Sequence, residues 1–429
     1  MDRFDAVVIG AGPAGASAAL VLARAKAKVL LVDRGKTPGA KNVFGGRIYA
    51  YPLTQLFPEG WKDCPIERWV VKEGLAFQTE DSSFSVQFEC PRLGAGPSGS
   101  FTAFRPKFDT WLASKAEQAG ATLISGIKVD DLVQVGGKVR GIVAGQDRVM
   151  ADVVIAADGV TSSFAQKANL RPALQPEEIS VGVKETIELP KETINDRFNL
   201  NSEEGVAQVF AGFSSGYFRG GGFLYTNKTS LSLGLVVESE DLAHGKRSVA
   251  DLMGEFKAQP QVQKLIKGGK STEYSAHMIP ELGLATPTRV YADGFLVAGD
   301  AGGFLVNTGY SFRGVDMAMK SGIAAANTVL EARETQDYSA AAMSRYMAFL
   351  EKEKVLQDLE RFRGAPFFMK NARLFSEYPK LICDLAERVY TLEGNGHDRI
   401  LELTMEALRQ NRISVVRLLK DLVGGSQAM

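Results

Sequence analysis

Short apolar runs bounded by glycine recur along the chain and predict buried strands. Residues 6–9 and 29–32 are two such runs, separated by a stretch with helical spacing, and 153–157 and 294–298 are of the same kind. Apolar runs of this length between turn residues are typical of strands that are covered on both faces. Because strands that alternate with helices form parallel sheets, the pattern predicts an α/β unit assembled from distant parts of the chain.

A second pattern, of closely spaced strands, occupies the middle of the chain between about residues 181 and 275. Its strand-like runs, together with an earlier alternating one, are 84–88, 206–210, 222–225 and 231–237. Such spacing is typical of a largely antiparallel sheet. Residues 108–119 have helical spacing, and from Tyr338 onward the chain is helical and charged.

Together the patterns predict an α/β fold class with a Rossmann-like nucleotide-binding domain, interrupted by an antiparallel β-rich domain and followed by a helical C-terminal extension. We expect the nucleotide-binding domain to be discontinuous, with parts at 1–75, 100–170 and 285–335. The β-rich quinone or substrate domain is then expected at 76–99 and 171–284, and the helical region at 336–429.

A glycine-rich turn joins the first strand to the first helix, and the second strand ends in an acid. In such a unit the first glycine permits a tight turn, the second lets a pyrophosphate approach the backbone, and the third lets the helix pack on the strand. A glycine motif alone is compatible with an ordinary loop, but here the strand, helix, second strand and acid fall in register. The predicted cofactor-binding residues of this unit are Gly10, Gly12, Pro13, Ala14, Gly15, Asp33 and Arg34.

Composition narrows the functional classes. The chain of 429 residues has 50 basic and 50 acidic residues, so no global charge favours nucleic acid or an anionic membrane. Its three cysteines are widely separated, which argues against a disulfide framework and against a metal site or an iron-sulfur cluster held by this chain. These features favour a reducing cytoplasm. No run approaches the roughly 20 apolar residues of a spanning helix, and Asp2 and Asp5 argue against a signal peptide.

Two further glycine turns follow apolar runs. One is Ala157-Asp158-Gly159 and the other is Gly299-Asp300. Each alone is compatible with a plain strand and turn. In this order and spacing, with the first motif, they resemble the flavoprotein family that includes aromatic hydroxylases, geranylgeranyl reductases and electron-transfer-flavoprotein:quinone oxidoreductases. The resemblance covers roughly residues 1–335 and implies one FAD, with Asp158-Gly159 on the pyrophosphate side, Gly299-Asp300 on the ribityl chain, and Arg105 approaching the cofactor.

Within that family the chain is most similar to the FixC-type proteins, and the likeness extends over essentially its whole length. The segments that carry it are 40–50, 220–227, 274–281 and 375–379. This resemblance implies that electrons pass from an electron transfer flavoprotein to a membrane quinone in an electron-bifurcating complex. It implies three protein partners, which are the alpha and beta subunits of that flavoprotein and a small ferredoxin-like iron-sulfur protein. The chain lacks the four-cysteine C-terminal domain of the single-chain relatives, which fits a cluster supplied by the separate partner.

Several residues near the expected flavin ring carry more than one interpretation. His277 is a candidate proton relay, although a histidine satisfied by a carbonyl fits the sequence as well. Tyr225 lies on an aromatic and glycine-rich strand that we expect to line the quinone site between the two domains. The other cofactor-binding residues implied near the ring are Lys41, Asn42, Gly45, Gly46 and Gly309. Tyr310 and Arg313 are equally compatible with contacting the cofactor or capping the next helix.

An apolar cluster at 364–369, flanked by basic residues, is compatible with core packing and with a monotopic membrane contact. In the second interpretation Phe367 and Phe368 are the expected rim of the quinone opening, and we expect a cytoplasmic protein that is peripheral on the inner face of the membrane. Helix 413–423 is compatible with docking a partner or its own chain. Two other functions share every FAD motif: an NAD(P)H-dependent reductase or hydroxylase of lipid or aromatic substrates, and a flavin-bearing scaffold.

Overall fold

The structure is a computed structural model that describes residues 3–40, 46–94, 96–280, 289–392 and 398–429. The predicted cofactor residues Lys41, Asn42 and Gly45 lie outside the described residues.

The predicted strands are present, together with others that the sequence pattern does not indicate. They are β1 (Arg3–Ile9), β2 (Val29–Asp33), β3 (Arg47–Tyr49), β4 (Arg68–Gln78), β5 (Ser83–Glu89), β6 (Ser100–Thr102), β7 (Thr122–Ser125), β8 (Asp131–Val135), β9 (Lys138–Ala144), β10 (Asp147–Ala156), β11 (Ile179–Glu188), β12 (Glu204–Gly212), β13 (Gly220–Thr226), β14 (Ser230–Glu238), β15 (Lys270–Pro280), β16 (Tyr291–Ala292), β17 (Phe295–Val297), β18 (Val306–Asn307) and β19 (Phe312–Arg313).

Helices cover both sheets and form the C-terminal region. They are α1 (Pro13–Arg24), α2 (Tyr51–Leu56), α3 (Arg105–Gln118), α4 (Ser163–Lys167), α5 (Lys191–Phe198), α6 (Ser239–Gly245), α7 (Val249–Ala258), α8 (Pro260–Ile266), α9 (Val315–Thr335), α10 (Ala340–Met343), α11 (Arg345–Lys352), α12 (Val355–Arg361), α13 (Ala365–Met369), α14 (Arg373–Ser376), α15 (Tyr378–Tyr390), α16 (Ile400–Gln410) and α17 (Val415–Ala428).

The first sheet is the predicted parallel one. Its strand order is β16-β17-β10-β1-β2-β7, in which β17, β10, β1, β2 and β7 run parallel and β16 is antiparallel. The apolar runs fill its centre, because Val7, Val154 and Leu296 are fully buried. Helices α1, α3 and α9 pack against one another over this sheet. The carboxyl ends of β1, β10 and β17 therefore meet at one edge, where the three glycine turns follow.

The second sheet has the order β15-β11-β14-β13-β12-β4-β6-β3, with β5 added on β4. Its pairs are antiparallel except for β12 with β4, which is parallel. On one face, residues such as Val183, Leu224 and Leu233 form a core with helix α7. The opposite face carries Tyr225, Lys184 and the side chains paired with them, and we call it the site face.

The α/β fold with an inserted β-rich sheet and a helical C-terminal region is confirmed. The domain limits remain a prediction. Strands β3 and β6 and the start of β4 pair within the second sheet, not the first, with Arg47 opposite Thr102 and Trp69 opposite Phe101. These strands are short or lack regular alternation, so the sequence pattern does not reveal which sheet they join.

The C-terminal helices pack beside the second sheet. Helix α15 lies along β4, where the Cys383 thiol donates to the Phe77 carbonyl at 3.4 Å. Helix α17 packs on α13, and Phe368 lies against Gly425. Within the described ranges, the helices are too short or too polar to cross a membrane.

Candidate functional site

Two glycines of the first turn are required by close backbone packing. A Cβ atom on Gly10, which has φ +100°, would lie 2.3 Å from the Ala157 carbonyl oxygen. A Cβ on Gly15 would lie 1.8 Å from the Gly10 carbonyl oxygen. Both positions therefore shape the turn itself and hold it against the end of β10.

Gly12 differs from these two because the space beside it is open. A Cβ there would have nothing within 4 Å, and its φ of −72° and ψ of −176° are accessible to any residue. Gly12 is the N-cap of α1, without a side-chain cap, and Pro13 begins the helix. The N-terminus of α1, where backbone N–H groups and the positive end of the helix dipole favour anions, thus lies beside this open space, an arrangement that suits phosphate. This geometry fits the pyrophosphate of a dinucleotide.

Asp33, the acid at the end of β2, is hydrogen-bonded to the backbone beside the glycine turn. The Asp33 carboxylate accepts hydrogen bonds from the backbone N–H groups of Ala11, at 2.8 Å, and Gly35, at 2.7 Å. Each carboxylate oxygen keeps a second lone pair, so the group remains able to accept from a ribose hydroxyl. Arg34 is exposed and acts electrostatically on Asp158, across the turn from β2.

The Asp158-Gly159 turn presents an unpaired carboxylate oxygen. Oδ2 of Asp158 accepts from the Phe164 N–H at 3.3 Å, whereas Oδ1 is buried without a partner among the described residues. Desolvation raises the pKa of this carboxyl group, and the Phe164 hydrogen bond opposes that shift. Gly159 follows with φ +75°. A buried acceptor without a donor is uncommon, and a ligand hydroxyl or ordered water would satisfy it.

The third turn lies beside Arg105. Gly299, with φ +68°, donates its N–H to the Ser321 hydroxyl at 2.9 Å. Desolvation raises the pKa of Asp300, and the positive charge of Arg105 opposes the shift. Arg105 is buried and forms a two-pronged pair with Asp109, with both N···O distances 2.9 Å. The arginine is therefore held in place at the start of α3, where it faces the Asp300 carboxylate.

Tyr225 and Gly46 meet on the site face. A Cβ on Gly46 would lie 3.3 Å from the Tyr225 ring, and the rings of Phe223 and Tyr225 are stacked at 5.1 Å. Desolvation raises the pKa of Tyr225 to about 12. Its hydroxyl is therefore protonated at neutral pH.

Two arginines beside this face form ion pairs and contact the Tyr49 ring. Arg47 forms an ion pair with Glu73 and lies 4.7 Å from the Tyr49 ring centroid. Arg313 lies 5.6 Å from the same ring and pairs with Asp316, at 2.6 Å. Arg313 thus forms an ion pair with the first turn of α9, whose N-cap Gly314 has no side-chain cap, and both interpretations of Arg313 remain predictions.

His277 lies on β15 beside a buried lysine of the neighbouring strand. Desolvation lowers the pKa of His277 to about 4, with a further contribution from the positive charge of Arg105. The imidazole is therefore neutral at pH 7. It can accept a proton and pass it on, but it is not protonated at rest. Lys184 on β11 is electrostatically coupled to the same arginine.

The predicted residues fall into three groups. The first group surrounds the start of α1 and consists of the residues of the first turn together with Asp33, Arg34, Ala157, Asp158 and Gly159. Asp300 and Gly299 lie with Arg105, while Gly46, Tyr225 and His277 belong to the site face. Lys184 and Glu273 also lie on the site face, and no motif in the sequence points to them. A lysine inside the apolar strand 181–187 is the signal that would have identified the first of them.

Gly309, Phe367 and Phe368 do not belong to any of these three groups. Gly309, with φ +83°, is so close to Met429 that a Cβ would lie 2.0 Å from the sulfur atom. Its role in cofactor binding remains a prediction. Phe367 is 63% exposed, but Phe368 packs on α17. Only one of the two phenylalanines thus projects outward as the rim requires.

Comparison with known proteins is consistent with this geometry. Residues 3–193 match the FAD binding domain family, and residues 365–429 match the ETF-QO/FixC family C-terminal domain. In Escherichia coli K12, the probable electron transfer flavoprotein-quinone oxidoreductase YdiS is 44% identical over 428 residues, 100% of this chain and 99% of that protein. Protein FixC of the same strain is 43% identical over 425 residues, 99% and 98% of the two chains.

Solved structures share the fold at low sequence identity. A geranylgeranyl bacteriochlorophyll reductase-like protein from Thermoplasma acidophilum has a TM-score of 0.74 at 21% identity, covering 98% of this chain and 100% of that one. The flavin-dependent brominase Bmp2 has a TM-score of 0.65 at 16% identity, covering 96% and 100%. These likenesses concern the fold alone. The full-length identity above 40% to YdiS and FixC, with the FAD-binding geometry, places the chain in the FixC and electron transfer flavoprotein-quinone oxidoreductase family of flavoenzymes.

Proposed function

We propose that this protein passes electrons from an electron transfer flavoprotein through one FAD to a membrane quinone. The observation that carries the proposal is the site face, which combines a polar region at its β11 and β15 end with a continuous apolar strip toward its β5 end. A quinone needs both environments, because its ring is polar at two oxygens and its tail is apolar.

FAD fits the residues around the start of α1. The open backbone at Gly12 accommodates the pyrophosphate, Asp33 is available to the ribose, and Arg105 and Asp300 face each other where the family resemblance puts the ribityl chain. When bound, FAD supplies the ability to accept and donate electrons singly or in pairs. The residues of the chain hold the cofactor and set its surroundings.

The apolar strip follows directly from strand register. Phe223, Val209, Leu75 and Val86 are consecutive partners across β13, β12, β4 and β5, so their side chains share one face of the sheet. The next row ends at Phe88, opposite Glu73. Val86 is 56% exposed and Phe88 is 60% exposed. The strip thus runs from the buried ring of Phe223 to an exposed apolar edge.

That edge is a better rim for a quinone opening than the predicted Phe367 and Phe368. Exposed apolar side chains on one face of an edge strand are suited to contact with lipid or with another protein. In our proposal β5 contacts the membrane surface, the quinone tail follows the strip, and the quinone ring stops beside Tyr225. The protein is then peripheral on the inner face of the membrane.

The partners follow from the same proposal. YdiS carries electron transfer flavoprotein in its name, and we extend that donor, with its alpha and beta subunits, to this chain. The chain has three cysteines, one fewer than the four thiolates that usually hold an iron-sulfur cluster. We propose that a separate small ferredoxin-like protein supplies the cluster, and that the assembly is an electron-bifurcating complex.

Quinone reduction by the purified protein tests the proposal. Protein loaded with FAD is mixed anaerobically with reduced electron transfer flavoprotein and a short-tailed quinone, and flavin absorbance is followed. We expect flavin reduction by the donor and reoxidation by the quinone. Rapid bleaching by NADPH alone would instead support the reductase or hydroxylase function, and FAD binding without any quinone reduction would support a scaffold.

A further inference from the structure

An ion pair between a buried lysine and a partly exposed carboxylate lies at the polar end of the site face. The Lys184 side chain is 2% exposed, and its Nζ is 3.7 Å from Oε2 of Glu273, whose side chain is 38% exposed. The Thr186 hydroxyl also donates to this carboxylate, at 3.1 Å. The pair therefore connects solvent, at the carboxylate, to the interior of the sheet face, at the ammonium group.

Strand register aligns Lys184 with the apolar strip. Its cross-strand partner on β14 is Gly234, which is opposite Phe223, the inner end of the strip. The Phe223 ring extends over Gly234, since a Cβ there would lie 2.4 Å from its Cζ atom. Two strand spacings of about 4.8 Å separate Lys184 from Phe223, and the residue between them is Gly234, which has no side chain.

The surroundings of the lysine are polar and charged. Its partner on β15 is Ser275, whose buried hydroxyl has no hydrogen-bond partner among the described residues. The charged and titratable groups that face it are Glu273 and His277 from β15 and Arg105 from α3. Desolvation lowers the pKa of Lys184, and Glu273 opposes the shift. A lysine in such a place is costly to bury, so a function in proton transfer would explain it.

We propose that Lys184 and Glu273 form the route by which protons reach the quinone ring, an inference that rests on the proposed function. Reduction of a quinone takes two electrons and two protons and forms two O–H bonds as both C=O groups become C–OH. The electrons come from the electron transfer flavoprotein through FAD. After the first electron, the Lys184 ammonium gives a proton to one quinone oxygen, and the resulting amine takes a proton from solvent water through the Glu273 carboxylate. After the second electron, the restored ammonium gives the second proton, which completes the hydroquinone, and it is reprotonated from solvent by the same route.

The test compares a quinone with an acceptor that takes no proton. Flavin reoxidation is measured in the FAD-loaded protein with a short-tailed quinone and with ferricenium, a one-electron acceptor. For Lys184→Met and Glu273→Gln, the ratio of the quinone rate to the ferricenium rate should fall by about 100-fold, the low end of what general acid catalysis contributes. Dividing by the ferricenium rate removes any change in FAD content or potential.

The opposite face of β11 offers a matched control. Glu185 pairs with Lys257 of α7 at 2.8 Å, next to Lys184 in sequence but on the helix-covered side. Lys257→Met removes a comparable ion pair, and its ratio should stay within about twofold of the wild-type ratio, because surface-type pairs contribute little. An equal fall in this variant would mean that the ratio reports only damage to the sheet.

Two outcomes distinguish a failure of the proton route from a failure of the proposed function. Wild-type turnover with quinone, together with unchanged ratios in both Lys184→Met and Glu273→Gln, overturns the proton route alone. A wild-type protein that reduces no quinone overturns the proposed function and the proton route with it. If Lys184→Met does not fold, Glu273→Gln decides, because that side chain is partly exposed and its amide keeps the Thr186 hydrogen bond.

The interaction between Lys184 and Glu273 can also be measured by unfolding, without enzyme turnover. Denaturant unfolding of the cofactor-free single variants and the double variant gives a coupling free energy for the pair. Glu273→Gln should destabilise the wild-type protein more than it destabilises Lys184→Met. Identical effects in the two backgrounds would show that the groups are uncoupled and would overturn the route.

Discussion

Gly12→Val should remove FAD binding while leaving the fold intact. The structure separates these effects, because Gly12 has extended dihedral angles and a Cβ there would have no neighbour within 4 Å. We expect the free energy of unfolding of the cofactor-free protein to change by less than about 0.5 kcal/mol, as for an unconstrained surface position. The valine side chain instead occupies the space through which the pyrophosphate approaches the start of α1.

The loss of affinity can be estimated from packing. Inserting methyl groups into a filled space costs about 1 to 3 kcal/mol, and the displaced phosphate also loses hydrogen bonds to the helix N-terminus. A total of about 3 kcal/mol corresponds to a fall in FAD affinity of more than about 100-fold. Titration of deflavinated protein with FAD, followed by flavin fluorescence, measures this quantity, and denaturant unfolding measures the stability.

Gly15→Ala is the matched control three residues away. Its Cβ would lie 1.8 Å from the Gly10 carbonyl oxygen, so the backbone must move, and we expect a loss of about 3 kcal/mol of stability even without cofactor. Wild-type FAD affinity in Gly12→Val would refute the assignment of the phosphate site. Equal destabilisation of the two variants in the absence of FAD would refute the distinction between an open and a packed glycine.

Other parts of the site give further expectations. Asp300→Ala should weaken FAD binding by about 1 to 3 kcal/mol, less than Gly12→Val, since it removes hydrogen bonds and leaves the phosphate site intact; the same titration checks it. The pKa of His277 is lowered from 6.5 to about 4, so the unfolded state binds more protons and the free energy of unfolding should fall by at most about 3 kcal/mol as pH drops through that window. His277→Gln should flatten this part of the curve, and an unchanged pH slope would contradict the burial argument. Changing Val86 and Phe88 together to Asp should lower liposome association and turnover with a long-tailed quinone but spare a short-tailed one, whereas Phe367→Asp should have the smaller effect. Equal loss with both quinones would contradict the apolar strip. Iron and sulfide analysis of the chain purified alone should find no cluster, and stoichiometric iron would refute that expectation.

Local motifs made the nucleotide-binding part of the fold predictable. The strand, the glycine turn and Asp33 lie within about 30 residues, and their chemistry depends on neighbours in sequence. Gly10 and Gly15 could be assigned from the same motif, although their packing partners could not. The presence of buried parallel strands could be predicted from the repeated apolar runs, since such runs are typical of strands covered on both faces, but their order in the sheet could not.

The site face was less predictable because it depends on register between distant strands. The apolar strip combines β5 with β13, and the parallel pairing of β12 with β4 joins residues more than 100 positions apart. No local pattern specifies such a pairing. Lys184 has a local signal, because it is a lysine within an apolar strand, but its pairing with Glu273, about 90 positions further on, has none. As a rim residue Phe368 was predicted to be exposed, but helix α17, which comes later in the chain, packs against it.

The packing of α1 also has a consequence for how the protein is synthesised. A Cβ on Gly322 of α9 would lie 2.1 Å from the Ala14 carbonyl oxygen, so α9 directly touches the helix that we propose to bind the pyrophosphate. Helix α1 is buried along nearly its whole length. A nascent chain that has not yet exposed residue 322 to solvent leaves that surface uncovered. Stable capture of FAD should therefore begin only after about three quarters of the chain has left the ribosome, because such non-local contacts form late.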